Sequence, residues 1–170
     1  MWTEHFDEKH KQGLEPLSDG TKVTKYYYYT NERECVDGGY DYDVHEFAPG
    51  TTNKSAKLAI IDEYDTSEKV NGFSINGISG WIDRDTRTSL VNTVSVEKAS
   101  GKLVTTLWFG EHSLTLPCDA VLQMLGALEM YAHECYNVTA RHKYNVSHLT
   151  DATEISEYDY TKDYPAKLNF

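Results

Sequence analysis

The chain of 170 residues is 39% apolar and carries 27 acidic against 16 basic residues, a formal charge of -11. That much apolar side chain can bury one core with an appended arm and excludes a disordered polymer. The acidic excess argues against a nucleic-acid backbone or an anionic membrane as partner, because both would repel the chain on average.

Residues 1–20 are polar, with Trp2, Phe6, Leu14 and Leu17 widely spaced. This is the pattern of an arm that orders against something else through its aromatics, not of a packed element. Strand-like runs follow at 22–29 and 40–47, around a turn-rich centre with Asp37-Gly38-Gly39. Tyr26, Tyr27, Tyr28 and Tyr29 put two rings on each face of the first run, so both faces must be covered or must serve as an interface. Pro49-Gly50 breaks the pattern, Thr51, Thr52 and Ser55 are N-cap candidates, and a helix carrying Ala56, Ala59, Ile60 and Tyr64 ends at Asp65-Thr66-Ser67. "NGFSINGISGWIDRDTR" reads as a hairpin turned by Asn76-Gly77, pinned by Phe73, Ile75, Ile78 and a buried Trp81, then a helix capped by Asp83 or Asp85. That helix holds Leu90, Val91, Val94 and Val96 and stops at Ser100-Gly101. A second hairpin turns at Gly110-Glu111 and closes at Pro117. The strongest helix starts near Asp119, with Val121, Leu125, Leu128, Ala132 and Cys135 on one stripe and Met124, Tyr131 and Val138 beside it. One or two short helices are expected over 140–157, before a Tyr-rich tail ending at Phe170.

The expected architecture is therefore α+β. Residues 1–50 form an extended arm and a Tyr-rich β-hairpin or meander, and residues 51–170 form a mainly helical domain containing two short hairpins. No repeat of 20–50 residues is evident. Cys35, Cys118 and Cys135 lack CxxC spacing and read as reduced thiols. "MWTEHFDEKHKQ" has no apolar signal-peptide core, and no run approaches membrane-spanning length, so folding in a cytoplasm is expected. The sequons at Asn53, Asn137 and Asn145 then read as chance matches.

Four clusters have residue types that could carry chemistry, and each has a plainer explanation. Glu129 and His133 stand one helical turn apart and could grip an ion, but no third ligand is spaced to join them. Asp37, Asp41 and Asp43 resemble a Ca²⁺ loop only loosely, since the D-x-D-x-D-G order and the late Glu are missing. Cys118 beside Asp119 at a helix start would need a partner such as His112 to act as a nucleophile. Asp83, Arg84, Asp85 and Arg87 match what capping and the helix dipole favour in a first turn. No phosphate loop, dinucleotide fingerprint, nucleophile elbow or HExxH is present. The expectation is a protein without enzymatic activity, cofactor or metal, with a metal-dependent enzyme as a remote alternative.

"YDTSEKVNGFSINGISGWIDRDTRTSL" and "EKASGKLVTTLWFGEHSLTLPCDAVLQMLGALEMYAHECYNVTARH" carry a resemblance. Over about residues 64–150 the chain resembles an uncharacterised domain family of bacteriophages and prophages, one branch of which is frequent in phages of Bacteroidales. The resemblance implies a small virion, tail-fibre or fibre-assembly protein, made in the host cytoplasm and carried in the particle, and it implies no catalytic residue. On this reading the protein is a structural docking module, most simply tail- or fibre-associated. A fibre-assembly chaperone and a head auxiliary or head-fibre protein are the alternatives. Its partners would be other phage structural proteins or further copies of itself, with neither nucleic acid nor membrane involved. The expected surface anchors are Trp2, Phe6, Tyr26, Tyr27, Tyr28, Tyr29, Tyr158, Tyr160, Tyr164 and Phe170, because tyrosine suits half-buried and interfacial surface.

Overall fold

A computed structural model describes residues 1–36 and 38–170; the Asp37 expectations lie outside the described residues. The architecture is mixed α and β, with a four-stranded N-terminal sheet, two two-stranded hairpins and five helices among the described residues. By tertiary contact the chain forms two compact units, residues 1–63 with 139–162 and residues 64–138 with 163–170. None of the described helices is long and apolar enough to cross a membrane.

The first unit is built on an antiparallel sheet of β1 (Trp2–Phe6), β2 (Gly13–Ser18), β3 (Val23–Glu34) and β4 (Tyr40–Phe47), in the order β1-β4-β3-β2. The 40–47 strand is where the sequence placed it. The arm is not: residues 2–6 and 13–18 form the two edge strands, because the inner pair β3–β4 offers unpaired backbone on both sides. Strand alternation splits the tyrosine run. Tyr27 and Tyr29 share a face with Tyr42, Val44 and Phe6, and His10 stacks on Phe6 with ring centroids 4.2 Å apart. Tyr28 faces the other way, into the core. Between Thr30 and Arg33 the register shifts, with Asn31 at φ 55, and this bulge re-phases the end of β3 so that Arg33 opposes Asp41.

Helix α1 (Asn53–Asp65) opens with a reciprocal cap, the Ser55 amide donating to Thr52 Oγ1 at 3.1 Å and the Thr52 amide to Ser55 Oγ at 3.0 Å. Within the first unit it buries Ala56, Lys57, Ile60 and Ile61. The tail after residue 150 is structural as well. Asp151 caps the short α5 (Ala152–Glu157), accepting from the Thr153 and Glu154 amides. His142 takes the Tyr158 hydroxyl at Nδ1 (2.8 Å) and donates from Nε2 to the Lys162 carbonyl (3.0 Å), since a carbonyl can only accept.

The second unit contains α2 (Glu68–Asn71), the hairpin β5 (Phe73–Ile75) and β6 (Ile78–Gly80), α3 (Arg84–Ala99), and the hairpin β7 (Val104–Phe109) and β8 (His112–Pro117). The long α4 (Cys118–His148) contributes its residues up to 138. Asn76 (φ 49) and Gly77 (φ 80) both take positive φ, as the two-residue turn requires. Helix α4 begins one residue before Asp119 and runs unbroken to His148, through residues where the sequence suggested a separate helix. Its apolar stripe supplies the core: Val121, Met124, Leu125 and Leu128 pack with Phe73, Ile75, Ile82, Val94 and Leu107. Each such fully buried side chain contributes roughly 1.5–3 kcal/mol. The chain end is built in, since the Ser74 amide donates to the Leu168 carbonyl, the Phe170 amide to the Ser74 carbonyl and the Asn76 amide to the Phe170 carbonyl, which adds residues 168–170 alongside β5.

Candidate functional site

Three of the ten expected anchors are core residues. Tyr28, Tyr29 and Tyr160 are 0%, 7% and 1% exposed, because β3 has cover on both faces. Tyr160 is held further by its hydroxyl, which accepts from Asn31 Nδ2 at 2.9 Å. Tyr158 is tied to His142 and accepts from Asn145 Nδ2, and Tyr164 packs against Tyr64 at 5.6 Å within the Val70–Tyr131–Cys135 cluster. Phe6, Tyr26 and Tyr27 are half-buried, and Tyr27 meets Trp2 edge-on at 5.0 Å. Trp2 and Phe170 remain exposed, at 39% and 40%.

The exposed tryptophans mark a different surface. The chain has three tryptophans, and Trp2, Trp81 and Trp108 are 39%, 39% and 69% exposed. Trp81 was expected to pin the first hairpin into the core. Its neighbour Ile82 does so instead, at 7% exposure, and the change of face between adjacent residues turns Trp81 outward. Asp83 then caps α3, taking the Thr86 amide at 2.9 Å and the Thr86 hydroxyl at 2.6 Å, and these bonds hold its carboxyl below the usual range. The cap fixes the helix start and therefore where Arg84 and Arg87 project.

Trp81 stands between two hollows of the second unit. On one side a cavity of about 490 Å³ is lined by Asp83, Arg84, Arg87, Glu129, His133 and Tyr136, which brings together two clusters that are far apart in sequence. Arg87 is buried here. Its Nη1 donates to the Ile82 carbonyl at 2.7 Å and its Nε to Glu129 Oε2 at 3.2 Å. Glu129 thus faces a guanidinium, whose positive charge opposes a cation at the Glu129–His133 pair. Asn71 presents a buried Oδ1 in the same lining, without a hydrogen-bond partner among the described residues. On the other side an open groove of about 660 Å³ runs along Ile82, Leu90, Leu107, Trp108 and Phe109. One hollow offers charge of both signs and the other aromatic and aliphatic surface, a combination suited to a peptide segment with an apolar side chain beside a charged one.

The other sequence candidates do not converge. Asp43 accepts from Arg33 at 2.9 Å and from Asn31 at 3.0 Å, whereas Asp41 pairs with His5 at 2.8 Å. The β7–β8 register puts His112 at the hairpin tip, opposite Phe109, while Cys118 follows the base. Five rungs of strand, about 16 Å, separate them. Cys118 is buried, and its thiol points at the Lys102 carbonyl. Two groups escaped the sequence reading altogether, the His5–Cys35–Asp41 cluster and the buried Lys57, because only strand pairing and packing assemble their surroundings. Comparison with family models, with curated proteins and with solved structures gives no match to this chain.

Proposed function

We propose that the protein is a non-enzymatic structural component of a bacteriophage particle, tail- or fibre-associated, that acts by docking a segment of another structural protein. The observation that carries this reading is the exposure of all three tryptophans, two of which wall the groove of the second unit. Tryptophan is well buried on average in folded chains and is enriched where binding energy concentrates, so surface tryptophans around one hollow favour a docking surface over a solvated face. The resemblance over residues 64–150 supports the same assignment, since those residues include Trp81, Asp83, Arg87, Glu129 and Tyr136, which line the site.

The test is incorporation. The protein is expected in purified particles by mass spectrometry, and Trp108→Ala, which removes an exposed ring, should deplete it from particles while the far-UV spectrum and urea midpoint stay unchanged. Retention of Trp81→Ala and Trp108→Ala at the wild-type level would overturn the groove as the docking surface. Absence of the protein from particles, with a complex to a fibre subunit in the infected cell, would make it an assembly chaperone instead.

A further inference from the structure

We propose that His5, Cys35 and Asp41 in the first unit form a binding site for a Zn²⁺-type divalent ion that staples the N-terminal strand β1 to the end of the β3–β4 pair. The inference is independent of the docking groove, which belongs to the other unit. His5 lies on β1 directly opposite Asp41 on β4, and Cys35 directly follows β3. His5 Nδ1 is 2.8 Å from Asp41 Oδ1 and 3.8 Å from Cys35 Sγ, and the ligand atoms of the three residues all lie within 4.8 Å of one another.

The convergence matters more than the proximity. In a nucleophilic Cys–His–Asp relay, the thiol addresses one ring nitrogen and the carboxylate the other, so that a proton passes along a line. Here thiol and carboxylate are both directed to Nδ1, which cannot act as acceptor from one and donor to the other at once. Three ligand atoms of different residues gathered within 4.8 Å of one another are instead what a single cation requires. A tetrahedral zinc ion with bonds of about 2.0–2.3 Å holds neighbouring donor atoms roughly 3.3–3.6 Å apart, so the two spacings at His5 Nδ1 need shifts of about half an ångström or less, and the Cys35–Asp41 pair, within 4.8 Å, closes by at most about 1.2 Å. One thiolate, one imidazole and one carboxylate form a mixed set that suits zinc better than the harder Ca²⁺ or Mg²⁺, and three protein ligands leave the fourth position for water.

The backbone around the cluster is specialised for this approach. The Cys35 amide donates to the Gly39 carbonyl at 3.1 Å, closing the turn on the cysteine side. Gly39 has φ +76, and a Cβ there would lie 2.6 Å from the Phe6 carbonyl oxygen and 2.7 Å from the His5 ring. Only glycine lets the turn come down onto the His5 imidazole. His5 on the edge strand β1 and Asp41 beside it, with side chains 49% and 33% exposed, leave an open path for the ion.

The experiment is a Co²⁺ titration of the full reduced chain, followed by Zn²⁺ competition. One equivalent of Co²⁺ should produce thiolate-to-cobalt absorption in the near ultraviolet and tetrahedral bands in the visible, both abolished by zinc. Cys35→Ser should eliminate the near-ultraviolet band, and His5→Gln should weaken affinity at least about tenfold. Cys118→Ser and Cys135→Ser should leave the spectrum unchanged, as both thiols are buried elsewhere. Zinc should slow amide hydrogen exchange in residues 2–6 of wild type but not of Cys35→Ser. Neither serine nor glutamine at these partly exposed positions disturbs the core, and circular dichroism checks that each variant is folded. Absence of stoichiometric Co²⁺ binding at tens of micromolar, or a thiolate band that persists in Cys35→Ser, would overturn the proposal.

Discussion

Lys57 should make the stability of the protein rise with pH where most proteins begin to weaken. Its side chain is fully buried, with Nζ donating to the Ser156 carbonyl at 3.0 Å and to Thr30 Oγ1 at 3.3 Å, between the rings of Tyr28 and Tyr160. Burial lowers its pKa from 10.5 to about 8, against a smaller opposing pull from Asp159. Between these values the unfolded lysine binds a proton that the folded one has released, so raising the pH favours the folded state. A difference of about 2.5 pH units corresponds to roughly 3.4 kcal/mol in all, of which about 2 kcal/mol is regained between pH 8 and pH 10. Above pH 10 the trend reverses, because burial holds Tyr29 up to about 12 and raises Tyr28 and Tyr131 as well, so phenols ionise first in the unfolded chain. Lys57→Met keeps the length and apolar stem and removes the titrating group. Urea midpoints of both proteins from pH 7.5 to 10 should show wild type gaining about 2 kcal/mol on the variant. Parallel pH profiles would show that the lysine is solvated, and the argument from its burial would fail.

Other perturbations test the second unit and the His45 pair. Arg87→Met should cost about 1.5–3 kcal/mol, the usual value of a hydrogen bond to a charged group, and Arg87→Lys should recover less than half of it, because an ammonium lacks the fork that reaches both Ile82 and Glu129. Trp81→Ala should cost about 1–2 kcal/mol, less than Ile82→Ala at about 2–5 kcal/mol, and the reverse order in chemical denaturation would return Trp81 to the core. His45 bonds Glu63 at 2.9 Å, and burial lowers its pKa below 6.5 despite that carboxylate. The unfolded imidazole then takes up a proton first, so stability is full above pH 6.5 and declines below it; His45→Gln should flatten the fall between pH 7 and 5.5.

Much of the fold is legible in local sequence. The Asn76-Gly77 turn, the Asp83 cap, the 40–47 strand and the α4 stripe each depend on neighbours within a turn or two, and each forms as its residues dictate. What the sequence could not show is which surfaces meet. A polar arm becomes two edge strands because β3 and β4 supply the hydrogen bonds, and tyrosines that look interfacial are buried because both faces of the sheet are covered. The site follows the same division. Glu129, His133 and the Asp83–Arg87 turn stand out as clusters in the sequence, but only packing joins them around Trp81, and only strand register sets His5 opposite Asp41. Periodicity and capping are short-range consequences of backbone geometry. Pairing, burial and side-chain convergence are set by long-range contacts, and only the tertiary structure decides those.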